Sequence, residues 1–139
     1  MEQVADVALA KEPVGESPTR KRPTILIVDD ESAIREVLRY LFELRGFGVL
    51  EAEDGETAAA LLGNTPIDLV VLYLVMPGMS GEEILEFMRS KAETRDLPVV
   101  ILSARPDAEN LPAVQQAQAI VYKPFDLLEL EALTRRLLV

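Results

Sequence analysis

From Thr24 onward, short apolar runs recur along the chain: TILIV over 24–28, FGVLE over 47–51, IDLVVLYL over 67–74, LPVVIL over 97–102 and AIVY over 119–122. Each run is apolar almost throughout, without strict alternation, which predicts strands buried on both faces of a parallel sheet. The stretches between them carry a helical period instead. Residues 32–45 place Ile34, Val37, Leu38, Leu41 and Phe42 on one face, and Gly46 is positioned to stop that helix. Residues 55–62 are rich in Ala and Leu and end at Gly63. Ser80 and Glu83 have capping-box spacing ahead of Ile84, Leu85 and Met88. Pro106 and Pro112 both restrict 106–116, so the fourth helix is expected to be short or distorted. Asp126 with Glu129 opens a last helix whose apolar stripe is Leu130, Leu133 and Leu137. Repeated strand–helix alternation with right-handed crossovers makes a doubly wound α/β sandwich. Such sheets bind ligands beyond the carboxyl ends of their strands, which directs attention to the residues just after Val28, Leu72, Leu102 and Tyr122.

The first 23 residues read differently. Pro13, Gly15, Ser17, Pro18 and Pro23 punctuate them, and Arg20, Lys21 and Arg22 form a basic cluster near their end. A flexible leader over 1–23, with a short helix as an option for Met1–Ala10, followed by one domain over 24–139, is the expected organisation. The leader holds four acids and four bases, so the whole formal charge of -10 falls on residues 24–139. That balance counts against a nucleic-acid surface. No apolar run approaches the length of a membrane span, and no basic-then-apolar signal opens the chain, which predicts a cytoplasmic protein. The sequence contains no Cys and no His. Thiolate metal sites and every Ser-His or Cys-His nucleophile are thereby excluded, leaving carboxylates, Lys, hydroxyls and backbone for chemistry.

Those groups gather at the predicted carboxyl ends. The first strand runs into Asp29 and Asp30, which read either as a turn and helix-cap pair or as a hard-oxygen site suited to magnesium. The fourth is followed by Ser103, a loop-opening residue or a hydroxyl donor to an anion. The fifth is followed by Lys123-Pro124, where Lys123 is a solvated charge or a counter-charge to the acids that can also grip a phosphoryl oxygen.

The motifs ILIVDDE (25–31), the segment around 72–81 containing MPGMSG, ILSA (101–104) and KPF (123–125) together resemble the receiver domain of two-component response regulators. The resemblance covers residues 24–139. It implies a flavodoxin-like, five-stranded parallel sheet of order 2-1-3-4-5 and a signalling module of a phosphorelay rather than an enzyme. It implies magnesium held directly by Asp30, through water by Asp29, and by the backbone carbonyl of Val75. Lys123 would contact the phosphoryl group, Ser103 would be the switch hydroxyl with Ala104 beside it, and the peptide before Pro124 would be cis. A sensor histidine kinase or another signalling protein is the implied partner. The face of fourth helix, fifth strand and last helix is the one the family uses for homodimers and output.

The chain departs from the family at the decisive place. The phosphoacceptor aspartate lies four residues before the Pro of MPG, and here that residue is Tyr73. A phenol with a pKa near 10 replaces neither the nucleophile nor the metal-ligating carboxylate. Aspartyl phosphorylation is expected to be blocked, magnesium binding to be weak, and the ring either to fill the phosphate position or to swing out. Its hydroxyl is expected to find Lys123, Ser103, Asp29 or Asp30. The family's switch aromatic, three residues before the Lys, is Ile120, and Tyr122 is expected to face differently. The alternatives are an ordinary receiver carrying an Asp-to-Tyr change, a magnesium-dependent phosphatase or phosphotransferase, for which the adjacent Asp29-Asp30 pair has the wrong spacing, and a flavin or nucleotide carrier, for which no phosphate loop follows the first strand.

Overall fold

The computed structural model describes residues 22–76 and 78–138. The option of a helix over Met1–Ala10, and all of the leader before Arg22, lie outside the described residues. Five parallel strands form one sheet: β1 (Thr24–Val28), β2 (Gly48–Ala52), β3 (Leu69–Tyr73), β4 (Val99–Ser103) and β5 (Ala119–Tyr122), in the order β2-β1-β3-β4-β5. Among the described residues, four α-helices connect and flank them: α1 (Ser32–Leu44), α2 (Gly55–Asn64), α3 (Gly81–Arg89) and α4 (Leu127–Leu137). The chain is therefore a doubly wound α/β domain, as the strand–helix alternation predicts, with the strand order that the family resemblance implies.

Near-continuous apolarity in the strands has a direct cause in the packing. Successive side chains alternate between two cores because a strand turns its side chains over every residue. Leu26, Val28, Val70, Leu72, Val99 and Ile101 pack under α2 and α3 with Ala58, Ile84, Leu85 and Met88. Ile25, Ile27, Leu69, Val71, Val100 and Leu102 pack on the opposite face with Leu38 and Phe42 of α1 and Leu130 of α4. Shortening any fully buried Leu or Ile of these layers to Ala removes roughly 2–5 kcal/mol.

Local signals set the helix boundaries. Glu43 O accepts from Gly46 N, and Gly46 takes the left-handed φ of 91° that closes α1. The Ser80 hydroxyl accepts from Glu83 N while the Glu83 carboxylate accepts from Ser80 N, completing the capping box of α3. Asp126 accepts from Leu128 N and Glu129 N at the start of α4.

Several expectations need correcting. The second strand starts one residue later than FGVLE suggests, because Phe47 turns into the core beside Phe42. Helix α2 continues through Gly63 to Asn64. Val37, expected on the buried face of α1, is 47% exposed. In α4, Glu131 and Thr134 are buried along with Leu130, because Glu131 is paired with Arg45 and Arg135 and the Thr134 hydroxyl donates to Leu130 O. The fourth helix is reduced to two 3-10 turns, Ala108–Asn110 and Pro112–Gln116. Pro112 takes the first position of the second turn, where its missing N–H costs nothing.

Candidate functional site at the carboxyl edge of the sheet

Strand β1 pairs with β2 on one side and β3 on the other, so strand order reverses across β1. The crevice outside such a point is where doubly wound sheets place their ligands. Asp29 follows β1, Tyr73 ends β3, Ser103 ends β4 and Lys123 follows β5, so the sheet brings all four to one edge.

Asp29 is fully buried. Its Oδ1 accepts from Glu31 N at 3.0 Å, which makes it the turn-forming residue ahead of α1 as well as a site carboxylate. Its Oδ2 lies 3.4 Å from Lys123 Nζ. Desolvation pushes the Asp29 carboxyl above its usual range; the Glu31 N–H and the Lys123 ammonium pull the other way. A raised pKa means that the folded state binds the proton more tightly than the unfolded one. The burial cost is therefore present above the raised pKa and is relieved as pH falls through it. Asp29→Asn is accordingly expected to stabilise the fold at pH 7 by roughly 0.5–2 kcal/mol, the yield of relieving a costly functional group. The gain should shrink toward pH 4, as urea midpoints measured across that range would report; a loss of stability at pH 7 would refute it.

Lys123 is the centre of the arrangement. Its ammonium stands 3.8 Å from the Tyr73 ring centroid, 3.4 Å from Asp29 and 3.5 Å from Glu31 Oε1. The flat π-face and two carboxylates satisfy one cation from several sides. The Tyr73 ring is half-buried and packs against both cores. Among the described residues its hydroxyl makes no hydrogen bond, so none of the four expected partners takes it; the contact with Lys123 runs through the ring.

The other expected residues are spread around this centre. Asp30 is exposed and lines a shallow acidic depression with Glu53, Asp54, Glu56 and Gly78. Val75 is 57% exposed beyond β3. Ser103 is buried, and its hydroxyl accepts from Arg105 N at 3.0 Å; Ala104 beside it is exposed. The Lys123–Pro124 peptide is cis. Ile120 and Tyr122 pack against the same core cluster, contrary to the expectation that they face differently: residues two apart on a strand share a face. Tyr122 pairs in register with Ser103, and its hydroxyl donates to Glu109 at 2.7 Å.

Two contributors were not singled out from the sequence. Glu31 is the second acid on Lys123. Arg35 donates to the carbonyl of Asp29 at 2.7 Å and to Glu51 at 3.0 Å, fixing the turn that carries the acids. Glu31 was visible inside the ILIVDDE motif, and Arg35 lies one helical turn beyond it.

The donors do not make a dedicated cation cage. Among the described residues no three acids converge closely enough to hold a metal ion. Asp29 is already engaged by Lys123, and the ring of Tyr73 occupies the end of β3. A hard divalent ion prefers several oxygen ligands in near-octahedral array, which this set does not supply on its own.

Comparison with known proteins agrees with the fold. The family model for the response regulator receiver domain matches residues 25–135. The phosphate regulon transcriptional regulatory protein PhoB of Klebsiella pneumoniae is 39% identical over 110 residues, covering 78% of this chain and 48% of PhoB. Response regulator MprA of Mycobacterium sp. (strain KMS) is 41% identical over 116 residues, covering 82% of this chain and 50% of MprA. The chain thus spans about half the length of these curated relatives. Response regulator protein TrrA of Thermotoga maritima, solved in complex with Mg(2+)-BeF, superposes with a TM-score of 0.78 at 34% identity, covering 84% of this chain and 99% of TrrA. The chain belongs to the response regulator receiver domain family.

Proposed function

We propose that this receiver domain works as a protein-interaction module of a two-component pathway in which ordinary aspartyl phosphorylation is blocked by Tyr73. The observation that carries this reading is the aromatic residue at the end of β3, closed over by the Lys123 ammonium at 3.8 Å. An acyl phosphate needs a carboxylate nucleophile, and a neutral phenol does not offer one. The lysine that would meet a phosphoryl oxygen is instead shared between Asp29, Glu31 and the ring. Asp30 and Asp29, with the Val75 carbonyl, remain the positions for magnesium, at weak affinity. Ser103 and Ala104 keep the place of the switch hydroxyl and its neighbour, without a phosphoryl group to draw Ser103 out of its bond with Arg105.

The partner in this reading is a sensor histidine kinase or another signalling protein. TrrA of Thermotoga maritima, 33% identical in that structure, was solved in complex with histidine kinase ThkA, which supports such a docking partner. Self-association through the surface of the 108–116 segment, β5 and α4 belongs to the same proposal. Nucleic acid does not, since residues 24–139 carry the whole negative charge. No described helix is long and apolar enough to cross a membrane, and a cytoplasmic location is part of the proposal.

The test is direct. Incubated with acetyl phosphate and magnesium, the protein is expected to show no hydroxylamine-labile added phosphate by intact-mass spectrometry. A labile phosphate on the unmodified chain overturns the reading.

A further inference from the structure

Between β4 and β5, where a full helix would leave its own backbone ladder to hold the chain, two 3-10 turns offer few internal bonds. Leu111 N, Val114 N and Ala117 N each donate three residues back, and Gln118 N donates to Val99 O. Isolated turns of this kind are weak, because the hydrogen-bond geometry is poor and the run is short. Side-chain bonds supply what the ladder lacks, some within the segment and others from Tyr122 of β5 and Arg89 of α3.

At the first end, Arg105 and Asp107 form a two-pronged pair at 3.1 and 3.0 Å, following the bond from Arg105 N to the Ser103 hydroxyl. The Tyr122 hydroxyl then reaches from β5 to Glu109 Oε1 at 2.7 Å, and Gln115 Nε2 donates to Glu109 O at 2.5 Å. At the far end, one guanidinium gathers the chain. Arg89, the last residue of α3, donates to the carbonyls of Thr94, Arg95 and Leu97, twice to Gln116 O, and to Gln118 Oε1. The same Gln118 Oε1 accepts from Val99 N at 2.7 Å, standing in for a strand neighbour at the start of β4.

We infer that residues 105–118 form a strap clasped by Tyr122 at one end and Arg89 at the other, so that the surface over α3 and β5 is held in one conformation. The strap leaves β4 just beyond Ser103, the residue paired in register with Tyr122, and Arg105 N ties its first residue back to the Ser103 hydroxyl. Tyr122 and Arg89 are positioning residues: the Tyr122 hydroxyl is spent on Glu109 and the Arg89 guanidinium on carbonyls and Gln118. The apolar underside supports them, since Ala108, Ala113 and Val114 are buried against α3.

The clasp uses neither Tyr73 nor its contact with Lys123, so it is tested apart from phosphorylation. In the full chain, hydrogen exchange at the amides of Leu111, Val114, Ala117 and Gln118 is compared between the unmodified protein, Tyr122→Phe, Arg89→Lys and the double variant. Loss of a hydroxyl bond to a charged group or of several carbonyl contacts is expected to speed exchange at these amides by about tenfold in each single variant, and more in the double. Exchange at Leu26, Val70 and Val71 is expected to stay within about twofold, which sets local opening apart from general weakening. Unchanged strap amides in the double variant, or equal acceleration across β1 and β3, would overturn the inference. Should acetyl phosphate label the unmodified chain, the Tyr73 reading falls while this exchange pattern still decides the strap.

Discussion

Tyr73→Asp is expected to convert the domain into one that takes up phosphate from acetyl phosphate in a magnesium-dependent manner. The substitution places a third carboxylate at the end of β3, beside the buried Asp29 and the exposed Asp30, and removes the ring beneath Lys123. Without a cation, three acids at one edge repel, so the variant should lose roughly 0.5–3 kcal/mol of stability in chelator. Magnesium should return that loss, because a ligand that binds only the folded state stabilises it in proportion to the logarithm of its concentration. Loss of even an outer-shell partner typically costs 10–100-fold in metal affinity, so regaining an inner ligand should raise affinity by at least about that much. Melting temperature against magnesium concentration reads the effect: a rise in the variant and a flat line in the unmodified protein. An equal rise in both proteins would show that Tyr73 does not govern the metal. Labelling of the variant and not of the parent would also identify the other pocket residues as competent, the situation of an ordinary receiver carrying one changed residue.

The second large effect concerns the turn from β3 into α3. A Cβ on Gly81 would stand 2.5 Å from Tyr73 O and 2.7 Å from Leu74 Cα, both backbone atoms that cannot swing aside. Gly81 N also donates to Leu74 O at 2.9 Å, so the two segments are drawn together by the bond that leaves no room for a side chain. Gly81→Ala should therefore cost about 3 kcal/mol, the upper end for forced overpacking, and shift the end of β3 with it. Gly63→Ala provides the opposite sign: nothing lies within 4 Å of the added methyl, and the residue sits inside α2. A gain of about 0.5–1 kcal/mol is expected there. Urea midpoints of the two variants moving in the same direction would contradict the packing described for the β3–α3 turn.

The strand pattern was legible because burial on both faces demands apolar residues at every position, and a run such as LVVLY has few other uses. The location of the site was legible for a topological reason: acids after β1 and a lysine after β5 must meet at one edge once the sheet is parallel. What escaped was the direction of long side chains. Lys123 and Asp29 are separated by 94 positions, and nothing local says that the ammonium will rest on an aromatic face instead of reaching a hydroxyl. The role of Glu31 escaped because its nearest sequence neighbours, Asp29 and Asp30, drew the chemistry to themselves. The side occupied by Tyr122 was available from the two-residue period of a strand, which puts it with Ile120. The reduction of the fourth helix to 3-10 turns followed the restriction imposed by Pro106 and Pro112, but its anchoring by Arg89 depends on carbonyls brought together only by the fold.

The ammonium of Lys123 gives the carboxyl edge a counter-ion carried on the chain itself. That single positive charge, seated on an aromatic plate, is shared between two acids and offsets them in part. Two carboxylates against one ammonium leave this end of the sheet with a residual negative charge, which any partner approaching it would have to accommodate.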